Sequence, residues 1–525
     1  MRPLSTPRLA GVAACVLVVT CLGVSIWEAR NLTFAPPDAE QHAIVARSLL
    51  RGEGYTENVV PFHAGVYPAI RHVPEFHGLL RPIVLVPLFA IFGVGPFAVH
   101  LPNLIYIALT GLTVYWWGAR VFGRGAGLLA CALTVLDAEL LYYGLLATDD
   151  VGFAFFFTLT TALLYEALAH RRDALLVLAG TAGGLALLEK PSGFFVAVVF
   201  LTVVWRFGGA TVVERARRLV LVFVPFAGAM SVYLARNYLA YGSPQFRFGV
   251  LVWIFKTEGY EGWNRIYDGL PSLPGMLRTI GWVRAGEVVA DELGKFVATV
   301  FPFRGIATGR TAVSVGTLLP VVALGGVLVS RDHPLMRWLF VTAVGASVGF
   351  ICIMWHFQMR YFSFLLPLFA LWTAALVARI GRRSRAAGAI AGMLLVLASG
   401  LDFARSQRLV QRFPSLVACP RAIAWVAANV GPTERVLTFD PWSLAWLADR
   451  DAVMIPTGGA APLAEIARRY DAHWLVAYES GLRPATSRAI MALDGDAAGL
   501  HLTRRFDERG CRVARVDWRD DTVAR

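Results

Sequence analysis

The stretch TDDVGFAFFFTLTTALLYEAL, residues 148–168, places two adjacent acids, Asp149 and Asp150, directly before a strongly apolar run. Charge at the edge of a membrane-spanning segment is costly unless it faces water, a cation or a polar cavity. Asp150 alone is explained as the N-cap of a helix that begins near Val151. Two successive acids after Thr148 are not explained in this way. The pair therefore indicates a polar site at the mouth of an apolar helix.

The composition identifies the class of protein. Of 525 residues, 57% are hydrophobic and 16% are charged, with a mean hydropathy of +0.58. Soluble domains carry about 25% charged residues, so we expect a multi-pass protein of the inner or plasma membrane. The net charge of +13 resides largely in short arginine-rich loops between apolar runs, as the positive-inside rule predicts. The sequence shows no basic stripe interleaved with aromatic residues, so no nucleic-acid partner is expected.

Apolar stretches of sufficient length predict an all-α membrane domain of about 11 transmembrane helices. These stretches cover residues 9–27, 101–117, 125–141, 151–168, 174–188, 194–205, 219–235, 313–330, 335–354, 362–378 and 387–401. The stretch 82–95 is shorter and follows Arg81, and we predict a juxtamembrane or re-entrant helix there. If it crossed the membrane, the arginine-rich loops after it would all lie outside the cell, against the charge bias.

The charge bias also sets the topology. The first span lacks a small-residue cleavage signature and is predicted to be an uncleaved signal anchor with a cytoplasmic N-terminus. Eleven crossings then place the C-terminus outside. Residues 28–100 form a first outer loop and residues 236–312 a second large outer loop. Asp38, in the first loop, therefore shares one aqueous face with Asp149 and Asp150.

The chain is expected to divide into two domains. Residues 1–401 form the membrane domain, and residues 402–525 form a small extracytoplasmic α/β domain, because strand-like apolar runs alternate there with helical patterns. Cys419 and Cys511 are the two cysteines of this tail. An oxidising compartment permits a disulfide bond between them, and two unpaired buried thiols are the alternative.

Several short motifs occur in a defined order. They are 37-PDAE-40, 88-LFAIFGVGPFAVHLP-102, 119-ARVFGR-124, 149-DD-150, 183-GGLALLEKP-191, 236-RNY-238, and 359-MRYF-362 followed by 365-LLPL-368. In this order they resemble the GT-C membrane glycosyltransferases, specifically the branch that contains protein O-mannosyltransferases and lipid A aminoarabinose transferases. The resemblance covers roughly residues 10–375. It implies transfer of a sugar from a polyprenyl-phosphate donor to a lipid, glycan or exported-protein acceptor on the outer membrane face.

The resemblance assigns roles to the acids. Asp38 matches the first-loop aspartate that serves as the catalytic base, although Ala39 separates it from Glu40 where relatives often have adjacent acids. Asp149 or Asp150 matches the second acidic position, which is linked to a metal or to the acceptor. A divalent cation such as Mg²⁺ or Mn²⁺ held by these two aspartates is therefore expected as a cofactor.

A second group of residues is predicted to bind the donor phosphate. Lys190 matches the basic residue after the Gly-Leu-x-Leu-Leu pattern, and Arg360 with Tyr361 matches the Arg-Tyr pair that opens a late span. Arg236 and His356 lie at outer span ends, where they could add positive charge. The alternatives are an ion pair between Lys190 and the preceding glutamate, and anchoring of the other polar residues at the membrane interface.

Other polar residues are interpreted as structural. Asp137 and Glu139 lie near an outer span end, but their spacing of two places them on different helix faces. His63, His72 and His77 occur in the first loop at spacings that match no standard zinc site, and a surface loop is predicted.

Two further functions remain open at this stage. The protein could be a transporter or flippase with an acidic ion relay, or a non-catalytic membrane scaffold. Ion relays usually lie near the middle of the membrane, whereas these acids cluster at one boundary, which favours the inverting glycosyltransferase.

Overall fold

The structure is a computed structural model. It describes residues 6–518, except for residues 33–36, 62–66, 68, 75–76, 245–265, 267–272, 301–314, 355–357, 412–418, 480–483, 494 and 509. The described residues form a large helical part and a smaller part built around one β-sheet, and the two parts are in contact.

The helical part follows the apolar stretches of the sequence. Its helices are α1 (Thr6–Ala29), α2 (Pro37–Leu50), α3 (Leu80–Phe92), α4 (Pro96–Val121), α5 (Arg124–Val135), α6 (Ala138–Leu145), α7 (Asp149–Ala169), α8 (Asp173–Glu189), α9 (Val196–Phe207), α10 (Val212–Tyr241), α11 (Leu273–Val300), α12 (Val315–Val329), α13 (Pro334–Met354), α14 (Leu366–Arg383) and α15 (Arg385–Gln411). Short 3₁₀ segments, Pro191–Phe195 and Met359–Leu365, precede α9 and α14. Where the structure describes them, the predicted apolar stretches are helical except at Leu136, Asp137 and Ser330.

Within the described residues, seven helices are long and apolar enough to cross a membrane. The number becomes eight if α5 and α6, which meet at a bend of 44°, form one span. The mainly helical membrane architecture is therefore confirmed, whereas the count of 11 spans and their orientation stay predictions. Stretch 82–95 is helical as predicted, since it overlaps α3.

Close packing of the helices depends on glycines at the crossing points. A Cβ atom added to Gly180 of α8 would lie 2.1 Å from the carbonyl oxygen of Val222 in α10. A Cβ atom on Gly127 of α5 would lie 2.6 Å from the backbone nitrogen of Ala119 in α4. Small residues at such points let helix backbones approach closely. This close packing stabilises helix association in a membrane, where the hydrophobic effect does not drive helices together.

The smaller part contains an eight-stranded mixed sheet in the order β2-β1-β4-β3-β5-β8-β7-β6. Its strands are β1 (Glu57–Val60), β2 (Arg71–His72), β3 (Arg435–Thr438), β4 (Asp451–Met454), β5 (Trp474–Tyr478), β6 (Gly495–Ala497), β7 (Leu500–Glu508) and β8 (Cys511–Trp518). Helices α16 (Pro420–Asn429), α17 (Pro441–Ala448), α18 (Ala460–Arg469) and α19 (Pro484–Met491) accompany them. Strands β1, β4, β3 and β5 are parallel neighbours, and the remaining pairs are antiparallel.

The predicted α/β tail is thus present, but the tail alone does not complete its sheet. The first loop contributes β1 and β2, and Val59 of β1 pairs with Ala452 of β4. The sequence does not indicate this pairing, because a four-residue strand is too short to show a clear alternation of polar and apolar residues. Helix α15 runs through residue 401, so the domain boundary at that position stays a prediction.

Helix α2 holds the two parts together. The buried Arg47 side chain donates to the carbonyl oxygens of Ala445 (2.7 Å) and Trp446 (3.0 Å) and lies 3.0 Å from the Asp449 carboxylate. Two turns before Arg47, Glu40 accepts a 2.7 Å hydrogen bond from Ser443. The last turn of α17 is therefore capped by a side chain from the first loop.

A disulfide bond connects two elements of the tail. The structure joins Cys419 and Cys511 by a disulfide bond, with their Cα atoms 5.9 Å apart. The bond connects the start of α16 to the start of β8.

Replacing Arg47 by methionine is expected to lower the free energy of unfolding by roughly 2–4 kcal/mol, because buried carbonyl groups lose a charged donor. Methionine preserves most of the packing. The matched control is Arg51→Met, since Arg51 pairs with the same Asp449 but is 45% exposed. A surface ion pair of this kind contributes about 0–1 kcal/mol. Tryptophan fluorescence during heating of the purified protein measures both, and equal shifts of the unfolding midpoint would contradict the assignment.

Candidate active site

A buried cation lies between the two acids that begin α7. Lys190 follows the last residue of α8, and its Nζ donates to Oδ1 of Asp149 at 2.9 Å and to Oδ1 of Asp150. All three residues are at most 6% exposed. Two carboxylates against one ammonium leave a net negative charge, which the first turn of α7 stabilises through its helix dipole.

Arg360 connects these acids to Asp38. Arg360 lies in the 3₁₀ segment before α14, and its Nη1 donates to Oδ2 of Asp38, in the first turn of α2. Its Nε lies 3.9 Å from Oδ2 of Asp150 and donates to Oε1 of Gln358 at 2.9 Å. The structure therefore brings together Asp38, Asp149, Asp150, Lys190 and Arg360.

Asp38 is held in its ionised form yet remains accessible. Its side chain is 33% exposed and that of Arg360 is 25% exposed. Burial alone would raise the pKa of Asp38, but Arg360 and His77 outweigh it and lower this pKa to about 2. Asp38 thus offers a carboxylate to the solvent-facing side of the cluster, whereas Asp149 and Asp150 lie behind it.

Tyr361 lies between the two cations. The Lys190 Nζ is 4.6 Å from the centroid of its ring, and the Arg360 Cζ is 5.3 Å from it. Cations at such distances from an aromatic ring are attracted by its electron-rich face. The ring therefore stabilises both positive groups.

Two histidines complete a group that could hold a metal ion. One ligand atom each from His42, His77 and Asp149 lie within 4.8 Å of one another. The His77 Nδ1 is 3.3 Å from Oδ2 of Asp149, and the rings of His42 and His77 are 4.4 Å apart. Within the described part of the chain, Nε2 of His42 is buried without a hydrogen-bond partner. Burial, assisted by His77, lowers the pKa of His42 well below its usual range, so its imidazole is neutral.

This arrangement differs from the sequence interpretation in two respects. His77 was expected on a surface loop, but its side chain is 15% exposed and contacts Asp149. The ligand group combines Asp149 with imidazoles, whereas Asp150 is bound to Lys190. Metal binding by the aspartate pair stays a prediction. His72 instead lies 3.4 Å from the buried Glu57 carboxylate.

A second buried ion pair, between Arg81 and Glu189, lies beside the start of α7. Arg81 is 1% exposed, and its Nη2 lies 2.7 Å from Oε1 of Glu189 and donates to the Thr148 carbonyl oxygen at 3.2 Å. Asn103 donates to the same carbonyl at 2.8 Å. Glu189 thus pairs with Arg81, and the described polar partners of Lys190 are the two aspartates instead of its neighbour. A Cβ atom on Gly152 would lie 2.2 Å from Oε1 of Glu189, so this position requires glycine.

The remaining predicted residues lie elsewhere. Arg236 donates to the Pro74 carbonyl oxygen at 2.8 Å and to Oδ1 of Asn237 at 2.7 Å, so it fastens the first loop to α10. His356 lies outside the described residues. Asp137 accepts a 2.8 Å hydrogen bond from the Leu140 backbone and caps α6, in agreement with a structural role.

The sequence contained one signal for the missed histidines. His42 follows Asp38 by four residues, which places both on one face of α2. His77 and Arg81 carry no comparable signal, because they meet the site only through the fold of the first loop.

Known proteins were compared with this chain. Residues 77–234 match the family model described as dolichyl-phosphate-mannose-protein mannosyltransferase. An uncharacterized protein from Aquifex aeolicus (strain VF5) is 29% identical over 150 residues, which is 28% of this chain and 28% of that protein. The match therefore spans little more than a quarter of that relative's length.

Solved structures share the fold over most of the chain. The Archaeoglobus fulgidus oligosaccharyltransferase in complex with Zn and sulfate has a TM-score of 0.60 at 14% identity, covering 89% of this chain and 68% of that chain. ArnT from Cupriavidus metallidurans bound to undecaprenyl phosphate has a TM-score of 0.59 at 14% identity, covering 95% of this chain and 97% of that chain. The chain therefore shares the fold of these two solved structures, and residues 77–234 match the mannosyltransferase family model, in agreement with the resemblance carried by the ordered motifs.

Proposed function

We propose that this protein is a membrane glycosyltransferase that moves a sugar from a polyprenyl-phosphate donor to an acceptor nucleophile. The contact between Asp38 and Arg360 carries the proposal. It places an accessible carboxylate base beside a cation that suits a phosphate group, at the edge of a buried acidic cluster. The solved relatives support the donor class, because ArnT was solved with undecaprenyl phosphate and the archaeal oligosaccharyltransferase AglB with a dolichol-phosphate.

Asp38 acts as the general base. An acceptor hydroxyl is a poor nucleophile at neutral pH, and a carboxylate within hydrogen-bond reach can accept its proton as the bond to the sugar forms. The bond between the anomeric carbon and the phosphate oxygen breaks as the carbon becomes oxocarbenium-like, and its electrons pass to the phosphate. A single displacement inverts the anomeric configuration.

Arg360 links donor binding to the strength of this base. A carboxylate with a pKa of about 2 is a weak base. A donor phosphate offers the guanidinium a planar pair of acceptor oxygens, which arginine prefers. Once Arg360 contacts the phosphate, it stabilises the Asp38 anion less, and the pKa of Asp38 rises. Donor binding thus prepares the base, while Lys190 offsets part of the negative charge of Asp149 and Asp150 so that they repel the phosphate less.

The ligand set beside the cluster fits a divalent transition metal. Zinc and related ions accept two imidazoles and one carboxylate, and His42 offers a buried neutral nitrogen without a partner among the described residues. Magnesium prefers oxygen ligands, so the set favours Zn²⁺ or Mn²⁺ over the Mg²⁺ that was also expected. A bound cation would supply positive charge for the departing phosphate.

The acceptor site lies near the sheet. Helix α2 carries Asp38 at one end and binds α17 along its length, so the sheet and the acids lie at the same end of the helical part. We place this end on the outer face of the inner or plasma membrane, where a lipid, a glycan or an exported protein can be the acceptor. The archaeal oligosaccharyltransferase was solved with a tethered acceptor peptide.

A transporter is disfavoured by the position of the acids. Asp38 and Asp149 lie in the first turns of α2 and α7, and Lys190 directly follows α8. An ion relay needs titratable groups along the path through the membrane, whereas these groups cluster at helix ends.

Asp38→Asn is expected to lower transfer from a radiolabelled polyprenyl-phosphate sugar by about 10²–10⁴-fold, because the amide cannot accept the proton. Donor binding should change little, since Arg360 remains. Asp332→Asn is the control: Asp332 pairs with Arg379, away from the cluster. Full transfer by Asp38→Asn would refute the assignment of the base, and a wild-type protein inactive with every donor would favour a scaffold.

Arg360→Gln is expected to shift the acid limb of the kcat/KM profile upward. Without the guanidinium the carboxyl of Asp38 gains a proton more readily, and its pKa moves toward the usual value of about 4. Wild-type kcat/KM should stay level down to about pH 3, whereas that of the variant should fall below about pH 5, and the variant should show a higher KM for the donor. Arg379→Gln should leave the profile level. Superimposable profiles would show that Arg360 does not govern Asp38.

Metal binding can be measured without reference to turnover. Calorimetric titration of chelator-treated protein with Zn²⁺ or Mn²⁺ should reveal one site, and His77→Gln should weaken it by at least about tenfold. His72→Gln is the matched control in the same loop, because His72 contacts Glu57 instead. Equal affinity of wild type and His77→Gln would eliminate this site and leave the roles of Asp38 and Arg360 intact.

A further inference from the structure

A large apolar cavity lies between α1, α5, α14 and α15. Its volume is about 880 Å³, within the range of roughly 300–1,000 Å³ that is typical of ligand sites. Among the described residues that line it, Arg124 is the one charged group. The remaining lining is aliphatic, aromatic or glycine, for example Leu128, Leu129, Val377 and Val396.

Small residues create this space. Gly388, Gly392 and Val396 recur at intervals of four residues, so one face of α15 lines the cavity. A Cβ atom on Gly388 would lie 2.5 Å from the Cα of Gly381, so α14 and α15 touch there. A Cβ atom on Gly392 would meet Val377 and Leu129 only at 3.7 and 3.8 Å, which leaves room for a guest.

The mouth of the cavity is positively charged. Arg124 begins α5 and is exposed. Arg382, Arg383 and Arg385 lie in the exposed turn between Gly381 and Gly388, which both line the cavity. This turn joins two helices that are long and apolar enough to cross a membrane, so the four arginines mark a membrane surface above an apolar cavity.

The cavity lies at the end of the helices opposite the candidate active site. Helices α5 and α6 lead from Arg124 to the residues just before Asp149, and their 12 and 8 residues span about 30 Å. A donor whose phosphate reaches Arg360 therefore cannot place the same phosphate at Arg124. The cavity is a separate site, and its occupant does not depend on the proposed function.

We propose that this cavity binds an anionic phospholipid, with an acyl chain between α5 and α15 and the phosphate against Arg124 and the turn arginines. Basic pockets between membrane helices bind anionic headgroups in this way. The positive-inside rule accounts for arginines at this membrane surface, and here they lie beside an apolar cavity that an acyl chain can enter. The positive charge at its mouth favours a negatively charged lipid over a neutral one.

Native mass spectrometry of the full-length, delipidated protein tests the proposal. Phosphatidylglycerol and phosphatidylcholine with identical acyl chains are added separately, and bound lipid is counted. Wild type should retain phosphatidylglycerol preferentially. Arg124→Gln should reduce its affinity about fivefold, the effect of one basic residue near a charged lipid. Gly392→Leu should abolish retention of the lipid by filling the cavity.

Two controls separate the cavity from general effects. Arg331→Gln removes an exposed arginine from another turn, and Gly345→Leu adds the same side chain to a glycine of α13 with open space around it. Neither should change retention. If Gly392→Leu does not fold, Ala389→Leu fills the same cavity from an exposed lining position.

Three results would overturn the proposal. Equal retention of the two lipids would show that the charge of the headgroup does not determine binding. Unchanged lipid binding to a folded cavity-filling variant would show that the lipid does not occupy this cavity. A dimer that is lost on substitution of Gly392 would identify a second copy of this chain as the occupant.

Discussion

The ammonium group of Lys190 holds the centre of this protein together. It pairs with two carboxylates where water is largely excluded, and removing one partner from such a buried pair typically costs 3–5 kcal/mol. Through Asp149 and Asp150 it ties the end of α8 to the start of α7. Arg360 extends the same network to α2 and the 3₁₀ segment before α14. Ion pairs between oppositely charged side chains thus join elements that are distant in sequence.

The sheet and the candidate active site are coupled through a single helix. Asp38 lies in the first turn of α2, and Arg47 of the same 14-residue helix caps the last turn of α17. The position of Asp38 is therefore set from both sides, by Arg360 in the helical part and by α17 beside the sheet. Through α17 the tail supports the helix that carries Asp38.

The sequence was informative where a property is local. Long apolar runs identify membrane helices because each run buries itself in lipid regardless of its neighbours. Asp149 and Asp150 could be recognised as unusual from local sequence too, because the apolar residues that follow them make two charges there energetically costly. The resemblance to a known family then located Asp38, Lys190 and Arg360. These are the parts of the site that lie at the ends of recognisable apolar helices.

Long-range features could not be predicted. The contact between His77 and Asp149, the pairing of Arg81 with Glu189 and the insertion of β1 beside β4 all depend on the path of the first loop. A loop with little periodic pattern leaves that path undetermined. His42 was missed as well, although its spacing from Asp38 places it on the same helix face.

The pairing of Val59 with Ala452 also has a consequence for biosynthesis. The loop strand is made early, but its parallel neighbour emerges from the ribosome only after α1 to α15. Until then β1 has an open edge, and α2 lacks the contacts that hold it beside the sheet. Such an edge invites pairing with other chains. The nascent protein must therefore carry Asp38 on a helix that lacks these contacts until β4 and α17 have been synthesised.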